Sequence, residues 1–396
     1  MNIVVFDDPV IRMDLLPFTF TRPVASIRVG ILTIKEKWEK FFGQPITDLT
    51  QNYLQEKFPL IETTENLLIN GAVCPDENLH KAIQQLKKGE RLVKGGLTVA
   101  SRTEDVQSFV DAPVKTNEYF GDVTVMDQVW RIFQHNGEQI RSDFELLTRG
   151  RKSNPIKDPH TRTYCPENIF IEDGAVIRAA VLNAATGPIY IGRNAQIHEG
   201  ALIRGPFALG EESIMNMGVK VRGDTTIGPY CKVGGEISNA VIFGFSNKAH
   251  DGFLGSSVIG EWCNLGADTN TSNLKNNYDS VKLWNYPKGG FQNTGLMFCG
   301  LMMGDHSKCG INTMFNTGTV TGVSSNIFGA GYPRNFVPSF AWGGKAGFTT
   351  FQLDKASETA SKAMERRNQT LTEVDKRILK NIFEITVSER VWEKKS

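Results

Sequence analysis

The sequence predicts three architectures in succession: an α/β domain, an all-β column wound from six-residue units, and a helical tail. Apolar runs alternating with helical segments mark the first, an unbroken hexad series the second, and a late change to charged, helix-forming residues the third. A chain of 396 residues is too long for one ordinary core, and the divisions fall at 1–150, 151–168 for a linker, 169–348 and 349–396.

In the first part, "NIVVF" and "NLLIN" read as buried strands, while Leu79 to Leu86 and Val125 to Phe133 carry helical periodicity. From 149 to 168 the text becomes "RGRKSNPIKDPHTRTYCPEN", whose three prolines and scattered charges predict an irregular linker. The hexads IGRNAQ, IHEGAL, IRGPFA, LGEESI, MNMGVK, VRGDTT, IGPYCK and VGGEIS then run end to end from Ile191. Every first position is aliphatic or Met, the fifth is mostly small, and four of the eight second positions are Gly. A period of six suits neither a helix face nor an alternating strand. It predicts a prism in which each hexad makes a short strand and a turn, the aliphatic residue pointing to the axis and glycine easing the corner.

The phase slips after Ser238, resumes as IGEWCN and LGADTN at Ile259, and a second series, MGDHSK, CGINTM, FNTGTV and TGVSSN, starts at Met303. Between them "NYPKGGFQNTG" is too aperiodic for a coil and is expected to leave the prism as a loop, where function often resides. Beyond Phe351 two helical stretches follow, the second opened by a capping box of Thr372 and Asp375. This tail is expected either to pack on a neighbouring subunit or to close the prism.

The formal charge of +1, from 44 basic and 43 acidic residues, advertises neither a nucleic-acid nor a membrane-surface partner, whereas small charged ligands are compatible with it. The six cysteines (74, 165, 231, 263, 299, 309) show no C-x-x-C spacing, and the chain opens on a strand rather than a basic leader. Together these predict a reduced, cytoplasmic protein. No apolar run approaches the ~20 residues that span a bilayer.

The stretch "GFSNKAHDGFLGSSVIGEWCNLGADTNTSN" resembles the Gly-Ser-Lys-x-x-His, Leu-Gly-Asp-x-x-Ile-Gly and Asn-Ile-Gly-Ala-Gly-Thr run of a bifunctional family, the N-acetylglucosamine-1-phosphate uridylyltransferase/glucosamine-1-phosphate acetyltransferases. The resemblance covers residues 165 to 345, and motif and hexad phase agree. The whole chain is similar to bacterial proteins described as sugar nucleotidyltransferases of this type. The resemblance implies a nucleotidyltransferase-like α/β domain, a left-handed parallel β-helix, a homotrimer, acetyl-CoA as acyl donor, and Mg²⁺ with a nucleoside triphosphate. The implied substrate is a small sugar phosphate.

Acetyl transfer to an amine needs a base near neutral pKa and donors for developing negative charge. By resemblance His250 is that base, with Asp251 or a carbonyl orienting its ring, while Asn264 and Asn273 contact the sugar phosphate or the base. Arg222 clamps phosphate, and the backbone at Ala267 touches the thioester. Ser238 and Phe253 stand where the family has a phosphate-site lysine and a tyrosine, so Lys248, Lys275 or Lys282 would have to replace the lost charge. The unspecialised readings are a solvated corner for His250, an asparagine ladder for Asn264 and Asn273, and a surface pair with Glu211, Glu212 or Asp224 for Arg222. His198 reads as a surface turn residue.

At the N-terminus the family's glycine-rich turn is missing. What remains, by resemblance, is Asp7 and Asp8 ending the first strand, Arg12, Arg22 in "LLPFTFTRP", and a helix bearing Lys37, as candidate nucleotide-binding groups. The structural alternative is that the acids cap a turn and the arginines hold the fold. Two further readings make the β-helix a regulatory or oligomerising scaffold beside a working nucleotidyltransferase, or make the whole chain a noncatalytic assembly protein. A zinc site of the carbonic-anhydrase kind needs three converging imidazoles, and the histidines at 80, 135, 160, 198, 250 and 306 have no such spacing. No metal ligands are assigned.

Overall fold

The computed structural model describes residues 2–106, 109 and 114–393. The first domain is built on a six-stranded mixed sheet, in spatial order Thr47–Leu49, Asn2–Phe6, Asn66–Asn70, Leu97–Thr103, Glu90–Lys94 and Lys115–Glu118. The continuous apolar run at Ile3, Val4, Val5 and Phe6 suits a central strand covered on both faces, and it pairs in parallel with both neighbours. Gly95 and Gly96, both at positive φ, make the two-residue turn between the strands ending at Lys94 and starting at Leu97. The helix Ile34–Phe42 opens on a capping box, Thr33 with Glu36, and buries Trp38, whose indole donates to the Val73 carbonyl at 2.8 Å.

From Arg162 onward the chain winds into a parallel β-solenoid of about ten turns. Its first strand, Arg162–Tyr164, pairs with Val181–Asn183 and lies inside the stretch expected to be irregular. Three prolines punctuate that stretch but leave 162–164 free to extend. The hexad phase is reproduced residue by residue. Ile191, Ile197, Ile203, Leu209, Met215, Val221, Ile227 and Val233 all lie in one apolar core, each at most 4% exposed. The fifth positions, from Ala195 to Ile237, are buried beside them.

Glycine eases one corner in successive coils. Gly200, Gly218, Gly235 and Gly252 carry positive φ there. At another corner Asn194, Glu212, Tyr230, Phe245, Trp262 and His306 adopt φ between 52° and 61°. Left-handed backbone costs a non-glycine residue about 1–2 kcal/mol, so packing must hold that corner. From Tyr230 onward stacked rings do so: Tyr230, Phe245, Trp262 and His306 lie one above another with centroids 4.9, 4.3 and 6.3 Å apart and planes within 14° of parallel.

The segment expected to be an ejected loop leaves the column as an antiparallel hairpin, Lys282–Asn285 with Gly290–Asn293. It braces the two domains. Asn285 donates to Asp14 at 2.8 Å, Tyr286 meets Phe20 edge-on, and Trp284 stacks on Phe336 at 4.1 Å. The first domain in turn docks Ile11, Phe18, Val129 and Phe133 onto the outward side chains Val241, Phe243, Val258 and Met302 of one solenoid face. The tail folds as two helices, Leu353–Glu365 and Glu373–Ile385, the latter with its Thr372/Asp375 capping box formed. Ala360, Met364, Ile378 and Ile382 share a core with Leu54, Val323 and Phe340, so the tail packs on its own chain, between domain and column.

Candidate functional site

Strand register builds the site. Lys232, Asn247, Asn264 and Lys308 pair in sequence across four adjacent strands of one solenoid face. Because successive residues of a strand point to opposite sides, their neighbours Val233, Lys248, Leu265 and Cys309 turn to the axis, and these four polar side chains turn outward. They form the floor of a cavity of about 550 Å³. The stacked rings Phe245 and Trp262 bound one edge, His250 and Ala267 the other, and the end of the helix Leu353–Glu365 closes it with Ala363, Arg366 and Arg367.

Three of the sequence-predicted residues, His250, Asn264 and Ala267, therefore share one cavity. The His250 side chain is exposed and makes no hydrogen bond to a described residue, so the orienting contact expected from Asp251 is not formed. Asn264 also belongs to a ladder: Asn247 donates to its Oδ1 at 3.4 Å and accepts from Arg367 at 2.9 Å.

Lys248 differs from expectation. It occupies the register of Val233, is 1% exposed, and directs its ammonium to the carbonyls of His250 at 2.7 Å and Asp251 at 3.1 Å. Burial lowers its pKa to about 8. It cannot replace a lost phosphate contact from inside the column; it holds the turn that carries His250. Lys275 is likewise engaged, with the Ser280 carbonyl, and Lys282 lies on the hairpin. Arg222 projects from a different face and pairs with Glu236 of the next coil at 2.8 Å, an acid absent from the expected partners. Asn273 donates to Ser256 at 3.3 Å and does not line this cavity.

The five N-terminal candidates do not converge. Asp8 caps the helix Pro9–Asp14 by accepting from Val10 and Ile11. Asp7 is buried, accepts from Val24 and Thr50, and lies 3.4 Å from Arg12; burial raises its pKa to about 6. Arg12 donates to the Thr19 carbonyl and the Tyr53 hydroxyl. Lys37 is buried on Asp143, which also accepts from Ile31 and Leu32. Arg22 crosses to the solenoid, where it meets Asp305 and, at 3.3 Å, Glu261. Each of these residues is engaged by a group of the protein itself, although Nε of Arg12 and of Arg22 is buried without a hydrogen bond, and as a set they do not fit a Mg²⁺–nucleotide site. Among the described residues no group of three His, Cys, Asp or Glu is placed to hold a metal.

Sequence reasoning missed Lys232, Lys308, Phe245, Trp262, Arg366 and Arg367. Four of them follow from strand register, which becomes readable once coils are counted through the phase slip; the arginines depend on where the tail folds back. A larger cleft of about 930 Å³ lies between the domains, but its arginines Arg28, Arg151 and Arg193 are paired with Glu36, Glu172 and Glu211.

Residues 3–152 match the family model described as sugar nucleotidyl transferase. The chain is 41% identical over 64 residues to the bifunctional protein GlmU of Trichodesmium erythraeum, covering 16% of this chain and 13% of that protein. It is 30% identical over 138 residues to GlmU of Rippkaea orientalis, covering 30% of each. To the uncharacterized acetyltransferase YaiX of Escherichia coli O6:K15:H31 it is 28% identical over 163 residues, covering 41% of this chain and 68% of that one. The chain thus spans under a third of the GlmU proteins it matches. Residues 3–152 thus resemble a sugar nucleotidyl transferase domain, and parts of the chain are similar to GlmU and YaiX proteins.

Proposed function

We propose that the chain is an enzyme of nucleotide-sugar synthesis whose β-helix transfers an acyl group from acetyl-CoA to the amine of a phosphorylated amino sugar. The observation that carries this reading is the convergence of His250, Asn264 and Ala267 on one cavity whose walls, among the described residues, hold lysines and arginines and no carboxylate. That donor set fits a thioester carrier rich in phosphate. When bound, such a carrier supplies an activated acyl group. As the acceptor amine bonds to the acyl carbon and the C–S bond breaks, His250 takes up the amine's proton, and the departing coenzyme A thiolate receives a proton to leave as the thiol. Asn264 offers an amide to orient the acceptor, and Ala267 presents backbone to the acyl group. Lys248 fixes the His250 turn from within the column.

For the N-terminal domain the family match supports a sugar 1-phosphate and a nucleoside triphosphate with Mg²⁺ as substrates. No nucleotidyl-transfer step follows from Asp7, Asp8, Arg12, Arg22 or Lys37, given their internal partners. A homotrimer is the proposed assembly, and exposed Ile311, Phe328 and Trp342 suit contact with another copy. The free thiols of Cys74, Cys231, Cys263, Cys299 and Cys309, all buried, suit the reducing cytoplasm.

Acetyl-CoA with a panel of amino-sugar phosphates, glucosamine 1-phosphate first, tests the reading. Turnover is expected, and His250→Ala should lower it by about 10²–10⁴-fold, the usual contribution of a general base. Turnover untouched by that substitution would reduce the β-helix to a scaffold.

A further inference from the structure

We infer that the tail of this chain supplies, in cis, a clamp for a phosphate ester: Arg366 and Arg367 close over the cavity whose floor carries Lys232 and Lys308. The inference rests on the acyl-transfer reading for the identity of the site, and on charge for the rest.

Among the described residues the cavity wall contains two lysines and two arginines, Lys232, Lys308, Arg366 and Arg367, and not one Asp or Glu. Lys232 and Arg366 are exposed and have no ion-pair partner among the described residues. The other two are held by neutral oxygens: Arg367 by the Asn247 amide at 2.9 Å, and Lys308 by the His306 carbonyl at 3.0 Å. Several arginines elsewhere on the surface are matched with acids, as Arg151 is with Glu172, Arg193 with Glu211, Arg222 with Glu236 and Arg377 with Glu56, while others such as Arg178 and Arg204 stand singly rather than around one concavity. A cation near a helix C-terminus is favoured by the helix dipole, which accounts for the place of Arg366 directly after Glu365. The dipole does not account for Lys232 and Lys308, which come from strands separated by two others. Like charges gathered around one concavity raise its potential and repel one another until an anion enters. A guanidinium grips a phosphate through two parallel N–H donors, and a second arginine with two lysines suits a dianion or a pair of phosphates.

The phosphate can belong to the acyl carrier or to the acceptor sugar. Calorimetric titration of the full-length chain with coenzyme A, dephospho-coenzyme A, glucosamine 1-phosphate and inorganic phosphate separates the two. The double variant Arg366→Gln/Arg367→Gln is expected to weaken the recognised phosphate ligand by about 10- to 100-fold, as loss of charged hydrogen bonds does. If the carrier is the source, wild type should prefer coenzyme A over its dephospho form and the double variant should not distinguish them. If the sugar is the source, only glucosamine 1-phosphate should weaken. Because Arg366 is exposed and has no ion-pair partner among the described residues, Arg366→Gln alone should keep the wild-type melting temperature while losing part of the affinity.

Wild-type affinity for all four probes in the double variant would overturn the clamp, as would failure of every probe to bind the wild type. The two readings can fail separately. Acyl transfer that persists with unchanged KM in the double variant removes the clamp and leaves the enzyme. Phosphate affinity that depends on the arginines in a protein without acyl transfer removes the enzyme and leaves the clamp.

Discussion

In the solenoid, three of the six residues singled out from the sequence face a common cavity, whereas in the N-terminal domain those singled out the same way are taken up by internal partners. His250, Asn264 and Ala267 line one space. Arg12, Arg22 and Lys37 are each under 6% exposed, with Tyr53, Asp305 and Asp143 as their partners. The difference lies in what fixes side-chain direction. A hexad repeat assigns every residue an inward or outward sense before any tertiary contact is known. A mixed sheet with irregular turns assigns none, and an arginine there binds whichever acid the fold brings to it.

The sharpest way to break this contrast is Arg22→Ala. Removing it leaves Asp305 buried without its cation, at the joint between domain and column. A loss of about 3–5 kcal/mol in denaturant-measured stability is expected. Unchanged stability accompanied by weaker nucleotide binding would return Arg22 to the nucleotide site and dissolve the distinction.

Asp7 sharpens it through pH. Its folded pKa of about 6 lies above the usual carboxylate value, because burial outweighs the hydrogen bonds from Thr50 and Val24 and the attraction of Arg12. The fold therefore holds this proton more tightly than the unfolded chain does. The stabilisation is complete below about pH 4 and is lost as pH rises through about 6, a difference of about 3 kcal/mol. Asp7→Asn should remove that part of the decline, seen as a smaller stability difference between pH 4 and pH 7 than in the wild type. Identical pH profiles would mean that Asp7 is solvated and open to ligand.

The smallest effect is expected at Arg222. Its ion pair with Glu236 leaves the arginine side chain 69% exposed, so Arg222→Ala should change stability by no more than about 1 kcal/mol. KM for the sugar phosphate should stay within twofold. A tenfold rise would place this face of the column in the acceptor site.

The solenoid was readable because period and chemistry coincide: Ile191 through Val233 turn to the axis as their spacing requires. The phase slip after Ser238 hid the next step. Lys248 falls in the register of Val233, so a residue that reads as a surface cation is internal. Coil counting through the slip would also have aligned Tyr230, Phe245, Trp262 and His306 as one stack. The hairpin at 282–293 was legible as a departure from the column but not as a brace, since Asn285 and Tyr286 find their partners, Asp14 and Phe20, more than 260 residues earlier in the chain. Arg366 and Arg367 were illegible for the same reason. A helix pattern gives the tail its length and cap, and only tertiary packing says which cavity its end covers.

The most direct test is a crystal structure of the full-length chain with coenzyme A. The account predicts the ligand in the cavity between Phe245, Trp262, His250 and Ala267, with a phosphate within hydrogen-bond reach of Arg366 or Arg367. Coenzyme A bound instead in the cleft between the domains, beside Lys40 and Arg193, would contradict it.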